Sequence, residues 1–134
     1  MKIVVAAENG FTRSSLNVNL RSAGYQVTEA EPACLLDVMS VLREELPHLV
    51  VLDYEIPLCN CETLVRIIRE DPILCRTPII LVAAGTDDAP VARMTRWDQV
   101  RTLKKPLQVG ALLRTVREQF PTFSIDSSDR ESAV

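Results

Sequence analysis

The sequence predicts an α/β protein in which a parallel sheet is covered by helices on both faces. Short apolar runs suited to buried strands alternate five times with segments that carry apolar residues at helical spacing. The central run, Leu49-Val50-Val51-Leu52, contains no polar residue, which is typical of a strand buried on both faces of a parallel sheet. A chain of 134 residues suits one domain with one core.

The first half of the chain predicts three strands and two helices. The apolar run 3–6 predicts the first strand, and the shorter, more polar run 25–29 a second strand nearer the sheet edge. Thr12 is a suitable N-cap for a first helix, which we expect to stop near Gly24. Pro32 suits the start of a second helix and Pro47 its end, just before the central strand.

The second half predicts two further strands and three helices. A third helix ends near Glu70, before Asp71-Pro72, and the apolar run 78–82 predicts a fourth strand. Asp88 suits the cap of a fourth helix with little apolar face, followed by a fifth strand at 100–103. The last helix carries apolar residues at i, i+3, i+4, i+7 and i+11: Val109, Leu112, Leu113, Val116 and Phe120. We expect one domain over residues 1–120 and a mobile polar tail over 121–134.

Composition narrows the class of function. A net charge of −3 and a pI near 5.2 give no basic footprint for nucleic acid, so we expect no direct DNA binding. No apolar run approaches the roughly 20 residues of a membrane span, and no signal peptide precedes the first strand, so we expect a cytoplasmic protein without a membrane partner.

The cysteines predict no metal centre. Cys34, Cys59, Cys61 and Cys75 are expected to be reduced thiols, since no secretory signal is seen. Cys59 and Cys61 form a C-x-C pair in a loop, but a zinc site needs about four ligands and His48 is the only histidine. We expect His48, which follows Pro47, to serve the entry into the central strand.

Chemistry-bearing residues follow several strands at the point where each strand ends. Glu8 follows strand one, Asp53 and Glu55 strand three, Ala83 strand four, and Lys105 strand five. These carboxyl ends meet at one edge of an α/β sheet, where ligands bind. An aspartate alone often begins a turn. Carboxylates opposite a lysine, however, suit Mg²⁺ and the transfer of a phosphoryl group to a carboxylate.

The ordered set of residues resembles the receiver domains of two-component response regulators. The likeness extends from Lys2 to Phe120 and rests on these positions: Ile3-Val4-Val5, Glu8, Arg13, Leu16, Gly24-Tyr25, Val27, Pro47 to Asp53, Ile56-Pro57, Arg66, Ile68-Arg69, Pro78-Ile79-Ile80 and Lys105-Pro106. The resemblance implies a flavodoxin-like (CheY-like) three-layer fold whose five parallel strands have the order 2-1-3-4-5.

The resemblance also implies the roles of the site residues. Asp53 would be the phosphoacceptor, taking a phosphoryl group from a histidine kinase or phosphotransfer protein, and Lys105 would bind the phosphoryl oxygens. Glu8, Asp53 and the backbone carbonyl of Glu55 would hold Mg²⁺. We expect weak metal binding because one acidic residue of the first loop is missing. We also expect Ca²⁺ or Mn²⁺ to be accepted as readily as Mg²⁺, because Glu8 has one more methylene than Asp.

Four departures from the receiver pattern mark this chain as atypical. Ala7 stands where receivers usually have a second acidic residue, and Ala83 where they usually have Ser or Thr. Thr102 replaces the usual aromatic switch residue of strand five, and Cys61 the usual glycine of the loop after strand three. Thr86 cannot be assumed to replace the hydroxyl missing at Ala83.

Three functional hypotheses remain open on the sequence. The first is a phosphoacceptor, not an enzyme, that signals through protein contacts of the face formed by helix four, strand five and helix five, where receivers also form homodimers. The second is a pseudo-receiver that binds partners without phosphoryl control. The third, a phosphatase-like enzyme with Asp53 as nucleophile, lacks an insertion long enough for a cap.

The missing switch residues predict a partner surface held in largely one state. A candidate contact patch is Trp97 with Arg93, Arg96 and Arg101 around it. The alternative is a tryptophan folded onto the edge of the sheet.

Overall fold

The computed structural model describes residues 1–7, 10–30, 35–54, 60–84, 89–97 and 99–119. Five strands alternate with five helices along these residues. The strands are β1 (Lys2–Ala6), β2 (Gln26–Ala30), β3 (Leu49–Asp53), β4 (Ile79–Ala83) and β5 (Val100–Lys104). The helices are α1 (Gly10–Ser22), α2 (Leu35–Glu45), α3 (Cys61–Glu70), α4 (Ala89–Met94) and α5 (Val109–Glu118).

All five strands pair in parallel in the order β2-β1-β3-β4-β5. This confirms the predicted α/β class and strand order, with the more polar β2 at one edge. In the register of the two central strands, Asp53 lies opposite Val82. Because the strands are parallel, the carboxyl ends of β3, β4 and β5 lie at the same edge of the sheet.

The two faces of the sheet carry two separate apolar clusters, because side chains alternate between faces along each strand. One cluster joins Val50, Leu52, Ile79 and Leu81 to apolar residues of α2, α3 and α4. The other joins Leu49, Val51, Ile80 and Val82 to Leu16 and Leu20 of α1 and Leu112 and Val116 of α5. The three-layer arrangement follows directly from this alternation.

Several predicted boundaries differ from the structure. The first helix begins at Gly10, so Thr12 lies inside it and does not cap it. A threonine suits either place, and no acidic residue in the first turn marks the start. Gly24, with φ of +100°, follows the end of α1 as predicted. Val109 is 44% exposed and does not join the core, since it stands at the first position of α5.

Other predictions fall outside the described residues or find local support. The predicted caps Pro32 and Asp88, the end of the last helix at Phe120 and the tail 121–134 lie outside them. At the start of β3, the backbone N–H of Lys2 donates to Nδ1 of His48 at 3.0 Å, and the N–H of His48 donates to the Lys2 carbonyl at 2.8 Å. His48 therefore serves the entry into the central strand. No helix of the described residues is long and apolar enough to cross a membrane.

Candidate functional site

Asp53 is the last residue of the central strand and a buried carboxylate. Its side chain is only 3% exposed, although every other residue of β3 is apolar. The backbone N–H of Tyr54 donates to the Val82 carbonyl at 2.9 Å, so β3 stays paired with β4 up to this point. The apolar strand thus fixes the position of a charged group at the carboxyl edge of the sheet.

Lys105 reaches Asp53 from the end of β5, across β4. Its backbone N–H donates to the Ala83 carbonyl at 2.8 Å, which holds the residue against the end of β4. The peptide bond between Lys105 and Pro106 is cis. The ammonium Nζ lies 3.0 Å from Oδ1 and 3.1 Å from Oδ2 of Asp53. The two residues are separated by 52 positions in the sequence, and the structure brings them into direct contact.

This ion pair is shielded on one side and open on the other. The Lys105 side chain is 27% exposed, whereas Asp53 is nearly covered. A partly buried charge interacts more strongly with a second charge than it would in water, because the effective dielectric constant is lower. The pair therefore offers a nucleophilic or metal-binding carboxylate next to a cation that can stabilise added negative charge.

A cleft of about 270 Å³ lies beside the lysine. It runs between α1 and the segment that follows β5. Its lining comprises Thr12, Ser15, Val82, Lys105, Pro106 and Leu107. The cleft provides open space next to the ammonium of Lys105 with two hydroxyl-bearing residues on the α1 side.

The three substituted switch positions are all described. Ala7 is fully buried, and its carbonyl accepts a hydrogen bond of 2.7 Å from Nη1 of Arg13. Ala83 ends β4 and is also fully buried. Because alanine carries only a methyl group, this position offers no side-chain hydroxyl. Thr102 is half-buried on β5, opposite Leu81. The Arg13 contact was missed in the sequence, because the sequence does not reveal how a helix residue lies against a loop.

Several predicted site residues lie outside the described residues: Glu8, Glu55, Thr86, Cys34 and Cys59. Within the described part of the chain, no three His, Cys, Asp or Glu residues group as a metal site. Cys61 is buried at the start of α3 rather than placed in a loop, and it follows the N-cap Asn60, whose side chain accepts from the backbone N–H of Thr63. Cys61 thus belongs to the core cluster beneath α3.

The surroundings of Trp97 differ from those predicted. Trp97 follows α4 and is 37% exposed, but Arg101 pairs with Glu118 of α5 at 3.1 Å. Arg93 instead pairs with Glu62 of α3, through bonds of 2.8 and 3.1 Å. Trp97 lines a cleft with residues of α3, so the tryptophan patch lies between α3 and α4. No sequence pattern predicted the Arg93–Glu62 pair.

Comparison with known proteins assigns this architecture. The sequence profile described as the response regulator receiver domain matches residues 3–117. The virulence transcriptional regulatory protein PhoP of Shigella flexneri is 26% identical over 145 aligned positions, which cover 100% of this chain and 64% of PhoP. The transcriptional regulatory protein AfsQ1 of Streptomyces coelicolor is 30% identical over 136 positions, covering 98% and 58%. The chain thus spans just under two thirds of the length of the first curated relatives it matches.

Solved structures share the fold at lower sequence identity. The Vibrio cholerae chemotaxis protein CheY4 superposes with a TM-score of 0.80 at 18% identity, over 89% of this chain and 98% of CheY4. The receiver domain of the sensor histidine kinase PA1611 from Pseudomonas aeruginosa gives a TM-score of 0.77 at 21% identity, over 88% and 95%. That receiver structure has a magnesium ion coordinated in its active-site cleft.

Proposed function

This chain belongs to the response regulator receiver domain family, and on that premise we propose that it accepts a phosphoryl group on Asp53 from a histidine kinase or phosphotransfer protein. Members of this family are generally phosphoacceptors of two-component systems rather than enzymes. The observation that supports the proposal most strongly is the contact between the Asp53 carboxylate and the Lys105 ammonium at 3.0 and 3.1 Å.

The chemistry uses the carboxylate as a nucleophile. An oxygen of Asp53 attacks the phosphorus atom of a phosphohistidine, the new P–O bond forms, and the P–N bond breaks with its electron pair going to the imidazole nitrogen. The product on this chain is an acyl phosphate. In the unphosphorylated protein the Lys105 ammonium donates to both carboxylate oxygens of Asp53. As the P–O bond forms, the ammonium must shift toward the phosphoryl oxygens, where it offsets their charge.

A divalent metal fits the donor chemistry of this edge. Asp53 supplies a hard carboxylate oxygen, the kind of ligand that Mg²⁺ prefers. We propose that Glu8 and the backbone carbonyl of Glu55, both outside the described residues, complete the protein ligands. Bound Mg²⁺ would neutralise phosphoryl charge. With Ala7 in place of a second acid, we predict a dissociation constant above the micromolar range, and Glu8→Ala should abolish the binding that a titration detects.

Transmission of the phosphoryl signal is the step that the substitutions weaken. Ala83 offers no hydroxyl to follow the phosphoryl group, and Thr102 has no aromatic ring to move. A population shift needs a contact that differs between the two states. We therefore propose that the surface of α4, β5 and α5, where a downstream protein or a second copy would bind, stays in largely one state.

A histidine kinase is an expected partner because this family interacts with such kinases. We assign the receiver domain to residues 1–120 and a C-terminal tail to residues 121–134. We also propose that the protein lies in the cytoplasm. Direct binding of nucleic acid by this chain is not expected at a net charge of −3.

A pseudo-receiver is the second candidate, and the substituted positions Ala7, Ala83 and Thr102 favour it. In that case Asp53 serves the fold and a partner binds without phosphoryl control. Both candidates predict a small response to beryllofluoride, a mimic of the phosphoryl group, because both leave the partner surface in largely one state. A large change in amide exchange across residues 86–106 would show a working switch and exclude the pseudo-receiver.

Intact-mass measurement tests phosphoryl acceptance. The chain is incubated with Mg²⁺ and a small acyl phosphate, and we expect the wild type to gain the mass of one phosphoryl group. Asp53→Ala should gain none, whereas Asp37→Ala, which removes an exposed aspartate of α2, should behave as wild type. Absence of any gain in the wild type over hours would favour the pseudo-receiver.

A further inference from the structure

A small cleft between α3 and the turn after α4 combines an exposed tryptophan with arginines. Glu62, Thr63, Arg66 and Trp97 line this cleft, which has a volume of about 230 Å³ and is named the Trp97 cleft below. Trp97 is the only tryptophan of the chain and is 37% exposed. Tryptophan and arginine are among the residue types that most often dominate protein–protein binding energies.

An ion pair lies at the wall of the Trp97 cleft. The guanidinium of Arg93 donates to both carboxylate oxygens of Glu62, at 2.8 Å from Nε and 3.1 Å from Nη2. The hydrogen bond from Arg93, with its charge, lowers the pKa of Glu62. This bidentate pair joins α4 to α3 beside the cleft in the free protein, with side chains that are 53% and 38% exposed.

The charge left over after this pairing is positive. Arg93 neutralises Glu62, and Arg66 and Arg96 are exposed. The guanidinium of Arg66 has no hydrogen-bond partner among the described residues. Among the described residues beside the cleft two arginines are in excess, and this positive charge attracts a short acidic segment, whereas a chain of net charge −3 repels a long polyanion such as nucleic acid.

We propose that the Trp97 cleft is a docking site for an acidic peptide segment of a partner protein, with an aromatic or aliphatic side chain placed against Trp97. Carboxylates of the segment would pair with Arg66 and Arg96, and the volume suits one large apolar side chain. This surface joins α3 to α4 and is separate from the ion pair of Asp53 and Lys105. The inference does not depend on phosphorylation.

Fluorescence of the single tryptophan reports on the site directly. The probe is the peptide acetyl-Glu-Asp-Phe-Glu-Asp-amide, titrated into the full chain at low salt. We expect a saturable change in Trp97 emission with a dissociation constant on the order of 0.1 to 1 mM, because so small a contact yields weak binding. The same peptide with Ala in place of Phe, and one with Lys in place of each acid, should bind at least tenfold more weakly.

Matched variants locate the binding. Arg66→Ala should weaken the probe peptide about tenfold, and raising the salt should do the same, since the pairs are exposed. Arg114→Ala removes an exposed arginine of α5, on the opposite face of the sheet, and should leave binding unchanged. Thermal melts check that both arginine variants fold. Asp53→Ala should bind the probe peptide as the wild type does, even if phosphoryl acceptance fails.

Four results would overturn the proposal. The first is the absence of an emission change up to several millimolar peptide. The second is an equal loss of peptide binding in Arg66→Ala and Arg114→Ala, and the third is tighter binding of a single-stranded oligonucleotide than of the acidic peptide. The fourth is a dimer in sedimentation that Arg66→Ala dissociates, which would assign the cleft to a second copy of this chain.

Discussion

The ion pair of Asp53 and Lys105 predicts a measurable coupling in folding stability. The variants Lys105→Met and Asp53→Asn each remove one charge while keeping most of the side-chain volume. At 3.0 Å the gross attraction is about 5 kcal/mol for an effective dielectric constant near 20. Desolvation of the two charges offsets much of this attraction, so we expect a net coupling of about 1–3 kcal/mol.

The single variants should differ in cost. Lys105→Met leaves a carboxylate that is 3% exposed without its nearby ammonium, and we expect it to lower the free energy of unfolding by about 1–3 kcal/mol. Asp53→Asn should cost less, because a neutral amide is cheaper to bury than a carboxylate that has lost its ammonium. Lys104→Met, which removes the exposed neighbouring lysine, should stay within about 0.5 kcal/mol.

Urea unfolding followed by Trp97 fluorescence supplies the four free energies of the double-mutant cycle. The experiment contains a chelator, so that no divalent metal replaces the lysine. Coupling should change little when the salt is raised, because the pair is mostly covered. A coupling below about 0.5 kcal/mol, or an equal effect of the Lys104 and Lys105 variants, would show that the pair does not form in solution.

Three further variants test the core, the acid response and the switch. Leu52→Ala empties a fully buried site and should lower the free energy of unfolding by about 2–5 kcal/mol in urea melts, whereas Leu36→Ala, 75% exposed, should cost under about 0.5. The pKa of Asp71 lies below its ordinary 3.8, mainly because its carboxylate accepts a hydrogen bond from the backbone N–H of Ile73. The ionised Asp71 therefore stabilises the fold fully above pH 3.8, and this stabilisation is lost as the pH falls through the pKa of the folded state. Asp71→Asn should flatten that acid loss in thermal melts, and an unchanged slope would contradict the assignment. Ala83→Thr restores a hydroxyl at the end of β4 and should enlarge the amide-exchange response to beryllofluoride; an equal response would remove Ala83 as a cause of weak switching.

The sequence predicted the sheet because its signals are local. Apolar runs suffice to identify buried strands, and the ordered receiver motif supplied the strand order that the runs alone leave open. The meeting of Asp53 and Lys105 also followed, since parallel strands that end together bring their following residues to one edge. The boundary of α1 did not follow, because Thr12 suits both the cap and the first turn.

Contacts between helices and special backbone geometries escaped prediction for physical reasons. The Arg93–Glu62 pair depends on how α4 lies against α3, and the α4 sequence shows too little apolar face to fix that placement. Leu46 and Gln99 adopt positive φ values of 48° and 61°. Residues with such side chains rarely adopt these values, so the sequence did not predict them. The sequence therefore did not predict that Arg93 pairs with Glu62 or that Trp97 shares a cleft with residues of α3.

The location of the phosphoryl group decides whether Asp53 is the phosphoacceptor. The chain is labelled with an acyl phosphate and Mg²⁺, the acyl phosphate is reduced with borohydride, and peptide mapping identifies the altered residue. We expect a single altered residue, Asp53, with labelling abolished in Asp53→Asn and strongly slowed in Lys105→Met but not in Lys104→Met. Labelling at another carboxylate such as Asp37, or equal labelling of the two lysine variants, would contradict this expectation.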